Sequence, residues 1–204
     1  MRLGILGGSF NPIHIGHLLM GSAAAEAFQL DRVLLMPCAV SPFKVGAADL
    51  APGADRLEMV RRGVADDPLF EASDLDLTRG GVSYTVESLR ALHARYPDAH
   101  LFFIIGGDAL RELSRWYKID EILTLCDVIT VLRPGVALAL DEALEPFPEA
   151  ARERLRRHTI QGRTCEVSSS EIRRRIAEGR SIRYLVCPEV EAYIRERGLY
   201  VVDK

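Results

Sequence analysis

The sequence predicts an α/β protein with a doubly wound parallel sheet that carries helices on both faces. The first observation is local: an apolar run over 3–6 ends at a glycine pair, and helix-forming residues follow from 15 to about 28. The second observation is a further apolar run over 33–36, which completes a strand–helix–strand unit with parallel strands. Such units, repeated along a chain, build a parallel sheet that is covered by helices.

The remaining elements follow from the same patterns, in chain order. Apolar or alternating runs predict strands over 70–77, 101–105, 128–132 and 164–167. Helical periodicity and capping residues predict helices over 54–65, from about 82 to 96, around 148–157, from Ser169 or Ser170 to about 179, and over 188–197. We expect 204 residues, 48% of them hydrophobic, to form one domain over 1–204, with a helical portion from about 168 to 204 packed on it.

Composition excludes several classes of partner. A net charge of −3 and a pI of about 6.0 lack the basic excess of a nucleic-acid-binding protein. No apolar run approaches the roughly 18 residues of a membrane span, and the N-terminus does not have the pattern of a signal peptide. Four scattered cysteines without a CxxC pair indicate reduced thiols. We therefore expect a cytoplasmic protein without nucleic-acid or membrane partners, and the sequence leaves a homo-oligomer open.

The turn after the first strand is a candidate phosphate-binding site. It runs from Gly7 and Gly8 through Ser9 and Phe10 toward the first helix. In open α/β sheets, ligands bind beyond the carboxyl ends of strands, where backbone N–H groups and the positive end of a helix dipole favour a phosphate. The turn carries neither the GxxxxGKS/T pattern nor the GxGxxG pattern, so it is neither a P-loop nor the usual dinucleotide fingerprint.

Two histidines, His14 and His17, stand at the start of the first helix, three residues apart. Imidazoles at this spacing can point the same way, and two N–H groups aimed at one phosphate chain could stabilise the charge that develops when a phosphoanhydride breaks. A helix cap with a packed surface imidazole is the alternative. A zinc site is disfavoured because no third ligand follows at metal spacing.

The segment GGSFNPIHIGHL, residues 7–18, resembles the (T/H)xGH motif of the nucleotidylyltransferase superfamily. The chain as a whole is most similar to the bacterial nicotinate-nucleotide adenylyltransferases. This resemblance implies a Rossmann-like fold and the transfer of an adenylyl group from ATP to nicotinate mononucleotide, which yields deamido-NAD and pyrophosphate. It also implies Mg²⁺ carried with the ATP phosphates. Class I tRNA synthetases share the histidine signature but are larger and carry a KMSKS-like loop.

Three later segments extend the resemblance. SPFK, residues 41–44, keeps the lysine of the family's PPHK loop but has Phe43 in place of the histidine. FIIGGDAL, residues 103–110, resembles IIGxD, and VSSSEIR, residues 167–173, resembles ISSTxIR with Ser170 where threonine is more usual. The resemblance implies that the catalytic residues are His14, His17, Lys44 and Arg173. It implies that the ATP-binding residues are Gly7, Gly8, Ser9, Phe10, His14, His17, Gly106, Asp108, Ser168, Ser169, Ser170 and Arg173.

The resemblance also implies a nicotinate mononucleotide site. Ser83, Tyr84 and Thr85 open a helix, with Ser83 or Thr85 as its expected cap, and their backbone N–H groups would receive the nicotinate carboxylate. Trp116 would stack on the pyridine ring. Arg133 would reach the 5′-phosphate by a bidentate contact.

Other functions are compatible with these motifs. The acceptor could be nicotinamide mononucleotide, or phosphopantetheine, although the phosphopantetheine enzymes usually lack the Ser-Tyr-Thr and tryptophan segments. A non-catalytic nucleotide sensor of the same fold would be expected to have lost part of the motif set, and here the histidines, the lysine and the arginine are all present. Each candidate site residue also has a structural alternative: Trp116 could simply pack in the core, and Lys44 could simply be a solvated surface lysine.

Overall fold

The structure is a computed structural model that describes residues 1–42, 50–133, 139–163 and 165–201. In chain order, the described strands are β1 (Arg2–Gly8), β2 (Arg32–Pro37), β3 (Phe70–Ala72), β4 (His100–Gly106), β5 (Asp127–Leu132) and β6 (Thr159–Gln161). They form one parallel six-stranded sheet in the order β3-β2-β1-β4-β5-β6, with helices on both sides. The strand order reverses at β1 and β4, a position whose carboxyl ends bind ligands in open α/β sheets. The predicted Rossmann-like fold is therefore confirmed.

Ten α-helices connect and cover these strands within the described ranges. They are α1 (Ile15–Phe28), α2 (Gly53–Gly63), α3 (Leu75–Arg79), α4 (Thr85–Arg95), α5 (Gly107–Glu112), α6 (Ile119–Leu125), α7 (Leu140–Leu144), α8 (Glu149–Arg157), α9 (Ser169–Ala177) and α10 (Pro188–Arg197). All six predicted helices lie where the sequence places them, with ends that differ by a few residues. The last has a proline at its start and a left-handed glycine, Gly198, at its end, which are typical boundary residues. The short helices α3, α5, α6 and α7 were not predicted.

Two predicted strands are wrong. The strand predicted over 70–77 stops at Ala72, and Leu75–Arg79 is helix α3. The hydroxyl of Ser73 accepts the N–H of Leu75 at 3.4 Å, a local bond of the kind that competes with strand pairing. The strand predicted over 164–167 is irregular from Cys165 on, and Thr164 lies outside the described residues. The edge strand beside β5 is instead β6, which pairs with the carboxyl half of β5.

The caps of two helices differ from the predicted ones. Helix α9 starts at Ser169 as expected, and its cap is Ser168, whose hydroxyl accepts the N–H of Glu171 at 3.2 Å. Helix α4 was expected to use Ser83 or Thr85. Its capping position is instead Tyr84, which makes no side-chain cap hydrogen bond. The first N–H groups of α4 therefore receive no cap from that side chain.

Contacts divide the chain into two compact units. Unit 1 comprises Met1–Gly7, Leu19–Leu34 and Tyr84–Thr164. Its core is apolar and fully buried along β1, β4 and β5, at residues such as Leu101 and Ile129. Unit 2 comprises Gly8–Leu18, Leu35–Ser83 and Cys165–Lys204. In it, helices α2 and α10 pack together through buried residues of both.

All four cysteines are free thiols, in line with the sequence analysis. Burial raises the pKa of the Cys126 thiol to about 12, and burial also raises the pKa of Cys187. Neither side chain is therefore a reactive thiolate at neutral pH. Over the described ranges, none of the helices has the length and apolar character needed to cross a bilayer.

Candidate active site

The two histidines of the N-terminal motif face each other at the start of α1. Their imidazole rings stack, with centroids 3.7 Å apart and planes inclined by 28°. The backbone N–H of His14 donates to Nδ1 of His17 at 3.2 Å. An Nδ1 that accepts a hydrogen bond carries no proton, so the neutral His17 ring carries its proton on Nε2. His17 thus has the tautomer in which Nε2 is the donor.

Gly16 allows the ring of His14 to lie against the start of α1. A Cβ atom at position 16 would be 3.1 Å from Nδ1 and 3.2 Å from Cε1 of His14, tighter than nine in ten real Cβ contacts. The glycine between the two histidines is therefore required by the close approach of an imidazole. The Sγ of Cys165 would lie 3.7 Å from that same Cβ, which is an ordinary van der Waals contact.

Phe10 fixes the other side of the histidine pair. Its side chain is 1% exposed, and its ring meets the His17 ring edge-on at a centroid distance of 4.9 Å. Its backbone has φ +45°, in the left-handed region that costs a non-glycine residue about 1–3 kcal/mol. Strain of this kind is typical of ligand-binding turns, and here the packing of the phenyl ring holds it in place.

The backbone carbonyls of the turn are held by side chains of α9. The carbonyl of Asn11 accepts from Nη1 of Arg173 at 2.9 Å, and the carbonyl of Pro12 accepts from the hydroxyl of Ser169 at 2.9 Å. Nη2 of Arg173 also donates to the Ser170 hydroxyl at 3.4 Å. Unit 2 thus brings together most of the predicted ATP-binding residues. They are Gly8, Ser9, Phe10, His14, His17, Ser168, Ser169, Ser170 and Arg173.

This cluster has the chemistry of an anion site. It combines a half-buried guanidinium, two imidazoles and the N-terminal end of a nine-residue helix, α9. Each of these favours negative charge, and the helix end supplies backbone N–H donors. A chain of phosphates is the ligand that would use all of them together.

Sequence reasoning missed three residues whose side chains hold the turn, namely Asn11, Arg56 and Tyr200. The side-chain oxygen of Asn11 accepts the N–H of Ala51 at 3.0 Å and the hydroxyl of Tyr200 at 2.8 Å. Arg56 donates to the carbonyl of Ser9 at 2.8 Å from a fully buried position. A signal for Arg56 was present, because it stands four residues before Val60 on the apolar face of α2.

Unit 1 holds the tryptophan and the aromatic residues around it. Trp116 follows the short 3₁₀ turn Leu113–Arg115 and meets the Phe103 ring edge-on at 5.8 Å. Two exposed tyrosines, Tyr84 and Tyr117, lie side by side with ring centroids 4.8 Å apart. Thr85 is the first residue of α4. This group offers flat aromatic surface and a helix N-terminus, which suit a charged pyridine ring.

The other predicted residues are spread over both units. In unit 1, Gly7 lies against the Phe103 ring, and Gly106 is the last residue of β4. Asp108 and Arg133 are both exposed, and Asp108 pairs with Arg111 at 3.3 Å.

In unit 2, the hydroxyl of Ser83 accepts the N–H of Ala39, and the N–H of Ser83 donates to the Val40 carbonyl, both at 2.9 Å. Ser83 therefore anchors the segment after β2. Lys44 and Phe43 lie outside the described residues.

We also searched the described residues for a cluster of metal-ligating side chains. Across residues 1–42, 50–133, 139–163 and 165–201, no group of three or more His, Cys, Asp or Glu residues could hold a metal ion.

The chain is similar to known proteins along most of its length. The model of the Cytidylyltransferase-like family matches residues 5–175. A protein of Citrifermentans bemidjiense named probable nicotinate-nucleotide adenylyltransferase is 46% identical and covers 98% of this chain and 99% of the relative. One of the same name from Roseiflexus sp. is 44% identical and covers 97% of each.

Solved structures share the fold. Plasmodium falciparum nicotinic acid mononucleotide adenylyltransferase complexed with NaAD has a TM-score of 0.74 at 17% identity and covers 98% of this chain and 97% of its own. The same protein complexed with APC has a TM-score of 0.72, also at 17% identity, and covers 98% of this chain and 96% of its own.

Proposed function

This chain belongs to the cytidylyltransferase-like family, and on that premise we propose that it transfers the adenylyl group of ATP to nicotinate mononucleotide and releases pyrophosphate. The observation that carries the proposal is the stacked His14–His17 pair, with its turn held by Arg173. The names of relatives that cover nearly the whole chain support the same activity. We further propose a cytoplasmic location, because both substrates are highly charged metabolites.

The reaction needs no protein nucleophile. The 5′-phosphate of nicotinate mononucleotide is already ionised, and one of its oxygens attacks the α-phosphorus of ATP in line. The bond from that phosphorus to the α–β bridging oxygen breaks, and pyrophosphate leaves with the electron pair. Catalysis is then a matter of positioning and charge stabilisation.

The chain's own residues supply that stabilisation. The Nε2–H of His17 donates to an oxygen of the α-phosphate, and His14 holds the adjoining bridging oxygen. Arg173, with Lys44, neutralises the β- and γ-phosphates, and the hydroxyls of α9 receive the departing pyrophosphate. When bound, Mg²⁺ supplies further charge neutralisation on the phosphates.

The acceptor is assigned to the aromatic group of unit 1 together with Arg133 and the Ser83-Tyr84-Thr85 segment. The first N–H groups of α4 receive the nicotinate carboxylate, since the N–H of Ser83 itself donates to Val40. Trp116 stacks on the pyridine ring. A helix N-terminus favours an acid over an amide, which is the basis for nicotinate as the acceptor.

Trp116 provides an optical test of the acceptor site. It is the only tryptophan of the chain, so fluorescence excited at wavelengths that tyrosine does not absorb reports on it alone. We expect nicotinate mononucleotide to quench this emission in a saturable titration, because stacking brings an electron-poor ring onto the indole. Ribose 5-phosphate, which lacks the pyridine, is the control and should leave the emission unchanged. Unaltered emission at acceptor concentrations that saturate turnover would refute the assignment of Trp116.

Gly16→Ala tests the packing of the histidine pair. Alanine inside a helix raises the free energy of unfolding by roughly 0.5–1 kcal/mol relative to glycine. The variant should therefore be about as stable as wild type. Its turnover should nevertheless fall at least about tenfold, because the new methyl group displaces the His14 ring from its stack and misplaced groups cost rate. Thermal unfolding and kcat measured on one preparation separate the two effects. Full turnover in a stable variant would contradict the packing argument.

The activity itself is tested by incubating the chain with ATP, Mg²⁺ and one acceptor at a time. We expect pyrophosphate and a dinucleotide with nicotinate mononucleotide, and lower kcat/KM with nicotinamide mononucleotide. Faster reaction with phosphopantetheine would redirect the proposal to that acceptor. Tight ATP binding without pyrophosphate from any acceptor would indicate a nucleotide sensor instead.

A further inference from the structure

Arg56 joins three segments of unit 2 from a buried position. The side chain stands on α2 and is 1% exposed. Its Nε donates to the carbonyl of Ala51 at 3.0 Å, Nη1 to the carbonyl of Ser9 at 2.8 Å, and Nη2 to the carbonyl of Ala39 at 3.5 Å. One planar guanidinium thus links the turn after β1, the segment after β2 and the entry to α2.

The bond to Ser9 sets the direction of the next backbone donor. In a planar trans peptide, the C=O and the following N–H point to opposite sides. Among the described residues, the cis peptide bond is Asn11–Pro12, so the Ser9–Phe10 peptide is trans. Because Arg56 holds the Ser9 carbonyl on its own side, the N–H of Phe10 is directed away from the guanidinium. That N–H belongs to the residue whose ring packs on His17.

Arg56 also leaves a positive charge behind the turn. Its three carbonyl partners are dipoles, and within the described part of the chain no carboxylate pairs with it. Burial lowers the pKa of this guanidinium, and the neighbouring Cys38 and Tyr200 side chains offset part of that effect. An arginine stays protonated under such conditions, so its charge persists at neutral pH.

Burying a charge without a counterion is costly, and packing alone would be served better by an apolar side chain of similar length. A cation directly behind a turn that carries two imidazoles makes sense when an anion occupies the other side. The bound anion then supplies the missing counter-charge.

We propose that Arg56 is a positioning residue for the triphosphate: it orients the Phe10 N–H toward a phosphate oxygen and adds a fixed positive charge behind the turn. It acts through the Ser9–Phe10 peptide and does not touch the nucleotide. The inference rests on the proposed function, since it assumes that ATP occupies the turn.

Two substitutions separate the geometry from the charge. Arg56→Lys keeps the charge but loses the three-way fork, whereas Arg56→Met loses both. We expect Arg56→Met to weaken the binding of a non-hydrolysable ATP analogue, measured by calorimetry, and to lower kcat by about 10–100-fold, as misplaced groups do. Arg56→Lys should bind the analogue almost as wild type does and still lose most of kcat. The KM for nicotinate mononucleotide should stay near its wild-type value in both.

Tyr193→Phe is the matched control. Tyr193 lies on α10, is buried, and donates its hydroxyl to Asp55 of α2 at 2.8 Å, so the variant weakens the same part of unit 2. It should lower the melting temperature and leave analogue affinity and kcat unchanged. If Arg56 were only structural, its folded variants would behave in the same way, and that result would overturn the inference.

The other outcomes also decide between the proposals. If Arg56→Met does not fold, Arg56→Lys alone carries the test, and wild-type kcat in that variant overturns the positioning role. If the wild-type chain does not bind the ATP analogue, the proposed function fails, and the inference about Arg56 fails with it. If wild type binds and turns over but the Arg56 variants equal it, the inference alone fails.

Discussion

His17→Ala is expected to lower kcat by about 10²–10³-fold, the typical loss when one donor to a developing negative charge is removed. The backbone N–H of His14 occupies Nδ1 of His17, so the proton that the reaction needs stands on Nε2, and alanine removes it. The fold should persist, because position 17 is only partly buried on α1 and alanine is the best helix former. Steady-state kcat and thermal unfolding of the same preparation check both parts.

His100→Ala is the matched control for this variant. His100 begins β4, at the end of that strand opposite Gly106, and pairs with Asp127 at 2.7 Å. Its loss should leave kcat near the wild-type value. Near-wild-type turnover in His17→Ala, or an equal loss in both variants, would reject the assignment of His17 as a catalytic donor.

Arg173→Ala is expected to cost about 10²-fold in kcat/KM for ATP, since a displaced phosphate site and a lost charge act together. The guanidinium holds the carbonyl of Asn11 at 2.9 Å, so alanine removes a cation and also releases the turn. Arg173→Lys should recover part of the ATP affinity and little of kcat, because an ammonium cannot copy the fork. The measurement is kcat/KM for ATP over a range of ionic strength.

Arg174→Ala supplies the comparison, because Arg174 is exposed on the same helix one residue further on. Removing this neighbour should change kcat/KM little, as expected for a solvated charge. The rate of Arg173→Ala should also depend less on salt than the rate of wild type. Equal losses in both variants would mean that the general charge of α9, and not the placed guanidinium, supports the reaction.

The parts of the fold that the sequence predicts correctly are those with strong local signals. Helix α1 follows a glycine turn, and α10 begins at Pro188 and is followed by Gly198. These residues are typical of helix boundaries and can be recognised in the sequence. The segment 70–77 was misassigned because Leu75 and Leu77 alternate with aspartates as a strand would. The local bond from the N–H of Leu75 to the Ser73 hydroxyl, which competes with strand pairing, is not visible in that alternation.

In the candidate site, too, the features with a local sequence signal could be predicted and those without one could not. The stacked histidines and the cap of α9 depend on residues three apart, and sequence motifs capture them. The supports of the turn depend on tertiary contacts: Arg56 lies 47 residues from Ser9, and Tyr200 lies 189 residues from Asn11. No local pattern encodes such pairs.

Ser83 shows how a motif residue can take a different role. Its position before α4 suggested a cap or a donor to the substrate, but its hydroxyl and its N–H both bind the segment after β2. A parallel bridge between Val40 and Val82 brings that segment alongside. The Ser-Tyr-Thr segment thus starts with an anchor, and the donors left for a carboxylate are those of the helix that follows.

A crystal structure with a non-hydrolysable ATP analogue and nicotinate mononucleotide would show whether the histidine pair binds the triphosphate. We expect the triphosphate at the turn, with Nε2 of His17 and the N–H of Phe10 each about 3 Å from a phosphate oxygen and Arg173 beside the outer phosphates. A triphosphate bound elsewhere, or one at the turn with both imidazoles facing away from it, would refute the catalytic role of His14 and His17.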